Sequence, residues 1–159
     1  MKKKTRVGVW MAVCALMIAL DRLSKVWAVR ALSGRGAMAV WPGLFHFRYV
    51  ENTGAAFGLF GGMRGLNVLL TFAFVWIAGM VIWQRREKPG VLPFGALLMA
   101  GGISHLYDRL IGRNIVDFIE VEFMRFAIFN VADICICAGA VGLTCAYLWQ
   151  ENRVRSGEA

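Results

Sequence analysis

Leu66-Asn-Val-Leu-Leu-Thr-Phe-Ala-Phe-Val-Trp-Ile-Ala-Gly-Met-Val-Ile-Trp83 runs for eighteen residues without a charged side chain. As an α-helix it reaches about 27 Å at 1.5 Å per residue, close to the thickness of a bilayer's hydrocarbon core. This stretch predicts a transmembrane helix. Three further apolar runs accompany it: Val7 to about Val29, Val91 to about Tyr107, and about Val131 to Trp149. The first is interrupted by Asp21-Arg22 and Ser24-Lys25. Pro89 and Pro93 stand at the start of the third, where a helix tolerates proline. The expected fold is a membrane protein, mainly α, with four transmembrane helices in one domain spanning residues 1–159.

Composition agrees. Of the 159 residues, 58% are hydrophobic and only 18% charged, and mean hydropathy is +0.58. A soluble domain of this size carries more charge. The net charge of +8 does not point to nucleic acid, because the basic residues cluster beside apolar runs and suit an inner membrane surface. Nine of the 18 Lys and Arg lie in short segments: Lys2, Lys3, Lys4 and Arg6; Arg85, Arg86 and Lys88; Arg153 and Arg155. The other nine are spread over much longer loops and their flanks. The positive-inside rule then puts both termini in the cytoplasm and both long loops, 30–65 and 108–130, outside. The basic start followed by Val7–Leu20 also has the form of a signal peptide, but Asp21, Arg22 and Lys25 follow with no clean small-x-small site. An uncleaved first helix is the expectation.

The outer loops carry strand patterns. Phe45, Phe47 and Tyr49 alternate with His46, Arg48 and Val50, and Ile119, Val121 and Phe123 alternate with Glu120 and Glu122. Period two is the mark of a half-buried strand, so a small sheet is expected at the membrane surface.

Polar residues against apolar spans are the candidates for chemistry, because a carboxylate there costs free energy. Asp21, Asp117 and Asp133 qualify. Asp21 and Lys25, four apart, share a helix face and can pair. With Val7 at the inner interface, Asp21 lies about 21 Å along the helix, in the outer part of the bilayer. It serves either as a structural ion pair that snorkels or as a substrate contact. Asp117 and Asp133 fall at the same outer boundary under this topology. Asn130, three residues before Asp133, is a natural N-cap. Two close carboxylates do not both ionise easily, so one keeps a proton. The ionised one can deprotonate water while the protonated one polarises a carbonyl, which is peptide hydrolysis without metal or covalent intermediate. Cys14, Cys135, Cys137 and Cys145 all lie in apolar runs and form neither a disulfide frame nor a zinc knuckle. Two His, His46 and His105, give no His-rich zinc site, and neither HExxH nor GxSxG occurs.

Asp21-Arg-Leu-Ser-Lys25 is similar to the D-x-x-S/T-K motif of lipoprotein signal peptidases (signal peptidase II). Asn52-Thr-Gly-Ala-Ala-Phe-Gly58 resembles their N-x-G-A-A-F motif, and Gly101-Gly-Ile-Ser-His-Leu-Tyr-Asp-Arg109 their Gly-rich stretch ending in N-x-x-D-R. Ile115-Val-Asp-Phe118 and Phe129-Asn-Val-Ala-Asp133 resemble the motifs that hold the two catalytic aspartates. Five motifs in family order are far more specific than any one of them.

The resemblance implies four transmembrane helices, an extracytoplasmic β-cradle and a short outer helix. It implies an aspartyl endopeptidase that cleaves the signal peptide from diacylglyceryl-modified prolipoproteins just before the lipidated Cys. Asp117 and Asp133 become the catalytic dyad, and Asp21, Lys25, Asn52, Gly54, His105, Arg109 and Asn130 substrate-binding or supporting positions. It implies no cofactor and no metal. The partners it implies are the lipid-modified prolipoprotein, membrane lipids and globomycin-type inhibitors. The implied location is the bacterial inner (cytoplasmic) membrane, with the active site at the outer face. The sequence departs from the family at His105, where Asn is usual. The imidazole either fills the same hydrogen-bonding role or, if charged, favours ionised carboxylates. Read bottom-up, the residues reach a small membrane protein with paired outer-face carboxylates. A transporter or proton channel, and a scaffold subunit, share that description.

Overall fold

A computed structural model describes residues 3–54, 60–112, 114–124 and 126–156. Its elements in chain order are α1 (Lys3–Leu32), β1 (Met38–Trp41), β2 (Phe45–Asn52), α2 (Arg64–Arg85), α3 (Val91–Leu110), β3 (Ile115–Val121) and α4 (Val131–Arg155). The fold is mainly helical with one small antiparallel sheet, ordered β1-β2-β3.

The solvent logic is inverted. Leu69, Trp76, Ile77, Trp83, Val141 and Leu148 are exposed, while Asp21, Lys25, Ser104, His105, Asp108, Asp117 and Asn130 are buried. Apolar side chains facing out and polar ones facing in is the arrangement a lipid solvent demands. Three helices are long and apolar enough to cross a membrane by length and composition: Thr5–Leu32, Arg64–Arg85 and Val131–Arg155. The remaining expected span, α3, is 20 residues long, about 30 Å, but less apolar. The polar side chains responsible, Ser104, His105 and Asp108, are buried where α3 packs against α1, α2 and α4. The chain is thus a multi-pass membrane protein, and its most enclosed helix is the one that does not qualify as a span by composition alone.

Asp21-Arg22 and Ser24-Lys25 do not interrupt α1, which continues to Leu32. Glycines set the α3–α4 distance. A Cβ on Gly101 would stand 2.3 Å from the Ala132 carbonyl oxygen, and one on Gly139 2.5 Å from the Leu98 nitrogen. Only small residues permit such backbone approach. At one end of the bundle Gln150 Nε2 donates to the Pro89 carbonyl (2.9 Å), so the α2–α3 turn lies beside the C-terminal part of α4. Arg86 over Trp83 and Arg153 over Trp149, at 4.1 and 4.4 Å to the ring centroids, furnish this end with the aromatic–basic pairs of a membrane interface.

The sheet sits at the opposite end. β2 and β3 form in the two stretches read as strands, but burial along them does not alternate, the register shifts between Phe47 and Val50, and β3 begins at Ile115 and ends at Val121, before Phe123. Trp27 of α1 meets Phe47 and Phe118 edge-on, at 5.2 and 6.0 Å between centroids. Phe118, Ala28 and Leu32 form a buried cluster. β1 was not expected from the sequence. The short outer helix implied by the resemblance has no counterpart among the described residues. Ala55–Gly58 of the N-x-G-A-A-F motif lie outside them.

Candidate active site

The site forms where β3 meets the start of α4. Val116 and Phe118 pack on the end of α1. Successive strand residues point to opposite faces, so Asp117 is turned away from that cluster. Ile119 and Phe129 form an antiparallel bridge, closed by Ile119 N–H to Phe129 O (2.9 Å) and Phe129 N–H to Ile119 O (3.0 Å). This bridge brings β3 beside the residue that precedes α4.

Asn130 is the N-cap of α4, as expected. Its Oδ1 accepts from Asp133 N–H (3.2 Å) and Asp133 Oδ2 accepts from Asn130 N–H (3.0 Å), a reciprocal capping box. The same side chain donates through Nδ2 to Asp117 Oδ1 at 2.6 Å. One fully buried asparagine therefore touches both aspartates. Asn52, near Asp117 across the β2–β3 pairing, donates to Asp117 Oδ2 (3.1 Å) and accepts from Gly54 N–H (2.9 Å). Gly54 in turn gives its carbonyl to Arg109 Nη2 (3.1 Å). Arg109 also donates to Thr71 Oγ1 of α2. It makes no ion pair with either aspartate among the described residues, though it lies in the field of both.

Asp117 and Asp133 line one cleft of about 920 Å³, together with Glu51, Asn52 and Thr53 on the sheet side and Ile134, Cys137 and Ala138 along α4. The two carboxylates differ in setting. The side chain of Asp133 is 38% exposed, whereas Asp117 is 4% exposed. Burial, and next the negative charge of Asp133, push the Asp117 carboxyl up to about 6, against the donated bonds from Asn52 and Asn130. His105 Nε2 lies 3.0 Å from Asp133 Oδ1.

Behind the dyad lies a cluster that sequence reading only partly found. Asp21 pairs with Lys25 at 2.8 Å, as the four-residue spacing predicts. Neither snorkels: Asp21 is 1% and Lys25 5% exposed. That expectation fails because the pair faces α3 rather than lipid. Asp108 binds Lys25 Nζ (2.9 Å) and Arg22 Nη1, and Ser104 donates to Asp21. Two acids and two bases thus neutralise one another between α1 and α3. Asp108, Arg22 and Ser104 were missed as supporting residues. The rule that singled out Asp21 applies equally to Asp108, and Ser104 precedes it by one turn. Asp21 Oδ1 also accepts from Ala132 N–H at 3.0 Å, which satisfies a second free amide at the start of α4. Asp21 thus ties α1 to the start of the helix that carries Asp133.

The described residues contain no cluster of His, Cys, Asp and Glu able to hold a metal. All four cysteines are free.

Two solved bacterial membrane enzymes, determined by the in meso method at 2.3 and 1.9 Å resolution, share the fold. The first superposes with TM-score 0.76 at 21% identity over 91% of this chain and 90% of its own. The second has TM-score 0.74 at 22% identity, over 89% and 93%. The lipoprotein signal peptidase of Gloeobacter violaceus is 35% identical over 148 residues, 91% of this chain and 83% of that protein. That of a Synechocystis strain is 37% identical over 131 residues, 79% of each. The sequence profile described as "Signal peptidase (SPase) II" matches residues 13–149, a stretch that holds the capped aspartate, its buried partner and every supporting residue described above: the chain belongs to the signal peptidase II family.

Proposed function

We propose that this chain is an aspartyl endopeptidase that removes the signal peptide from diacylglyceryl-modified prolipoproteins, cutting just before the lipidated Cys. Family membership supports peptidase chemistry. The observation that carries the aspartyl reading is Asn130, which hydrogen-bonds Asp117 and caps the helix of Asp133 at the edge of one cleft. One carboxylate takes a proton from water, and the resulting hydroxide attacks the scissile carbonyl carbon. The other gives its proton to the carbonyl oxygen. The tetrahedral diol collapses when the first carboxylate passes the proton it took from water to the amide nitrogen, the second takes back a hydroxyl proton, and the C–N bond breaks to leave a carboxylic acid and a free amine. Neither step needs a metal. Asn52, Asn130 and Arg109 hold the dyad and the Gly54 backbone. The apolar wall of Ile134, Cys137 and Ala138 suits a signal helix and lipid chains entering from the bilayer, and the same cleft is the natural seat for globomycin-type inhibitors.

In this reading α3 is the fourth transmembrane helix, its polar side chains shielded by its neighbours. Both termini are cytoplasmic, and the sheet and dyad lie at the outer face of the bacterial inner membrane. The basic α2–α3 turn and the end of α4, which share one end of the bundle, support that orientation.

The test is cleavage of a diacylglyceryl-modified prolipoprotein by purified protein in lipid or detergent. Asp117→Asn and Asp133→Asn should each abolish turnover, and the double variant should be little worse, because the pair works as a unit. Substantial cleavage by either single variant overturns the aspartyl mechanism.

A further inference from the structure

The imidazole of His105 is constrained on both sides. His105 is 7% exposed. Nε2 faces Asp133 Oδ1 at 3.0 Å. Nδ1 is shielded from solvent and reaches no donor or acceptor among the described residues. A neutral imidazole carries one N–H and one bare nitrogen, and the cation carries two N–H groups. The cation and the Nδ1–H form would both bury a donor without a partner. The Nδ1–H form would also turn the Nε2 lone pair towards a carboxylate oxygen. A proton on Asp133 Oδ1, donated to Nε2, would force that same Nδ1–H form. Only the Nε2–H tautomer leaves no buried donor unpaired.

Asp133 is thereby met by donors on both oxygens, His105 on Oδ1 and the Asn130 backbone N–H on Oδ2. It also stands in the first turn of α4, where the helix dipole favours an anion. Asp117 has the opposite setting: it is buried, and its carboxyl is pushed up by that burial.

The other charged groups nearby are already engaged. On α3, Arg109 is bound to Gly54 and Thr71, and Asp108 turns to Arg22 and Lys25 of α1. Asp21 of α1 is held by Lys25. On β2, Glu51 is held by Tyr49 and Asn114. At the start of α2, Arg64 reaches the Leu110 carbonyl.

We propose that His105 is a positioning residue, fixed as the neutral Nε2–H tautomer, which holds Asp133 as the carboxylate and so assigns the proton of the dyad to Asp117. Asp133 is then the base towards water and Asp117 the acid towards the substrate carbonyl. An asparagine can present either end of its amide to Asp133, whereas this imidazole presents only a donor. The inference rests on the aspartyl reading given above.

Imidazole ¹⁵N spectra of the full-length protein test it directly. The chain has two histidines, and His46→Gln leaves His105 as the sole signal. A protonated Nε2 and a bare Nδ1 are expected at neutral pH. Two protonated nitrogens, or the reverse tautomer, overturn the proposal. Infrared spectra at about pH 5, below the Asp117 value of about 6, supply the second arm: a protonated-carboxyl stretching band should vanish in Asp117→Asn and persist in Asp133→Asn. The opposite pattern overturns it. His105→Ala should lower kcat roughly ten- to hundredfold with KM little changed, because a donor to an ionised group is lost, and His105→Asn should restore most of it. Equal losses in both variants would show that the imidazole does more than donate and would overturn the assignment. If Asp117→Asn and Asp133→Asn both cleave, the aspartyl reading itself has failed. If both are inert while the spectra give the other tautomer or the other band, this inference alone has failed.

Discussion

Asn130 donates its side-chain amide to Asp117 across 2.6 Å while the remaining polar atoms of the residue cap the helix that begins with Asp133. A single buried side chain therefore does two separable things: it starts α4, and it sets the distance from that start to the strand carrying the other aspartate.

The two roles can be taken apart. Asn130→Ala removes cap and bridge together, and should cost about 1 kcal/mol or more in stability as well as most of the turnover. Asn130→Ser keeps an N-cap oxygen but donates nothing comparable to Asp117. Its melting temperature should stay near wild type while turnover falls about tenfold or more. Thermal melts and cleavage assays on both variants check this. Equal activity of Asn130→Ser and wild type would remove the bridge from the account.

Asp117 also predicts a pH dependence. Its folded-state value of about 6 lies above the roughly 3.9 of an unfolded Asp. Its contribution to stability is therefore present below the unfolded value and lost as pH rises through about 6, a cost on the order of 2–3 kcal/mol. Asp117→Asn also loses one donated hydrogen bond at any pH. Its melting temperature relative to wild type should be more favourable at about pH 7.5 than at about pH 4. With the proton of the dyad on Asp117, kcat/KM should fall as pH rises above about 6. Bound substrate, which excludes water from the carboxyl, should displace the corresponding limb of kcat upward. A kcat/KM that rises through this range would contradict the role of Asp117 as the acid.

Gly101 and Gly139 both lie where a Cβ would strike backbone, 2.3 Å from Ala132 O and 2.5 Å from Leu98 N. Gly101→Ala and Gly139→Ala should each destabilise by about 1–3 kcal/mol. Their effects on turnover should differ. Gly101 abuts the first turn of α4, next to Asp133, whereas Gly139 lies nearly two turns further along. Gly101→Ala should be the slower enzyme at equal folded fraction, measured by active protein per melt-competent protein.

The orientation in the membrane is checked by reporter fusions. One after Trp149 and one within Gly34–Pro42 should read opposite sides. The same side for both would defeat the four-span topology.

What could be read from the chain follows the reach of each interaction. α2 and α4 announce themselves, because lipid exposure writes an unbroken apolar run. The Asn130 cap is legible, since its partner Asp133 is three residues away. β1 is not: Met38–Trp41 shows no alternation, its residues are all exposed, and it is held by pairing with β2 through an irregular register. The burial of α1's charges was hidden for a related reason. Arg22 and Asp108 stand 86 residues apart, and no local spacing connects them. Both aspartates stand out as carboxylates against apolar runs, but the bond from Asn130 to Asp117 spans 13 residues between a strand and a helix cap. The Ile119–Phe129 bridge, which no local pattern announces, brings those ends together.

The bond from Ala132 N–H to Asp21 bears on biosynthesis. Asp21 belongs to α1 and Ala132 to α4, which is synthesised after α1, α2 and α3. Until α4 has docked against α1, the turn that carries Asp133 lacks this support. In the proposed reading the two carboxylates are therefore brought into register by the meeting of an early helix with a late one.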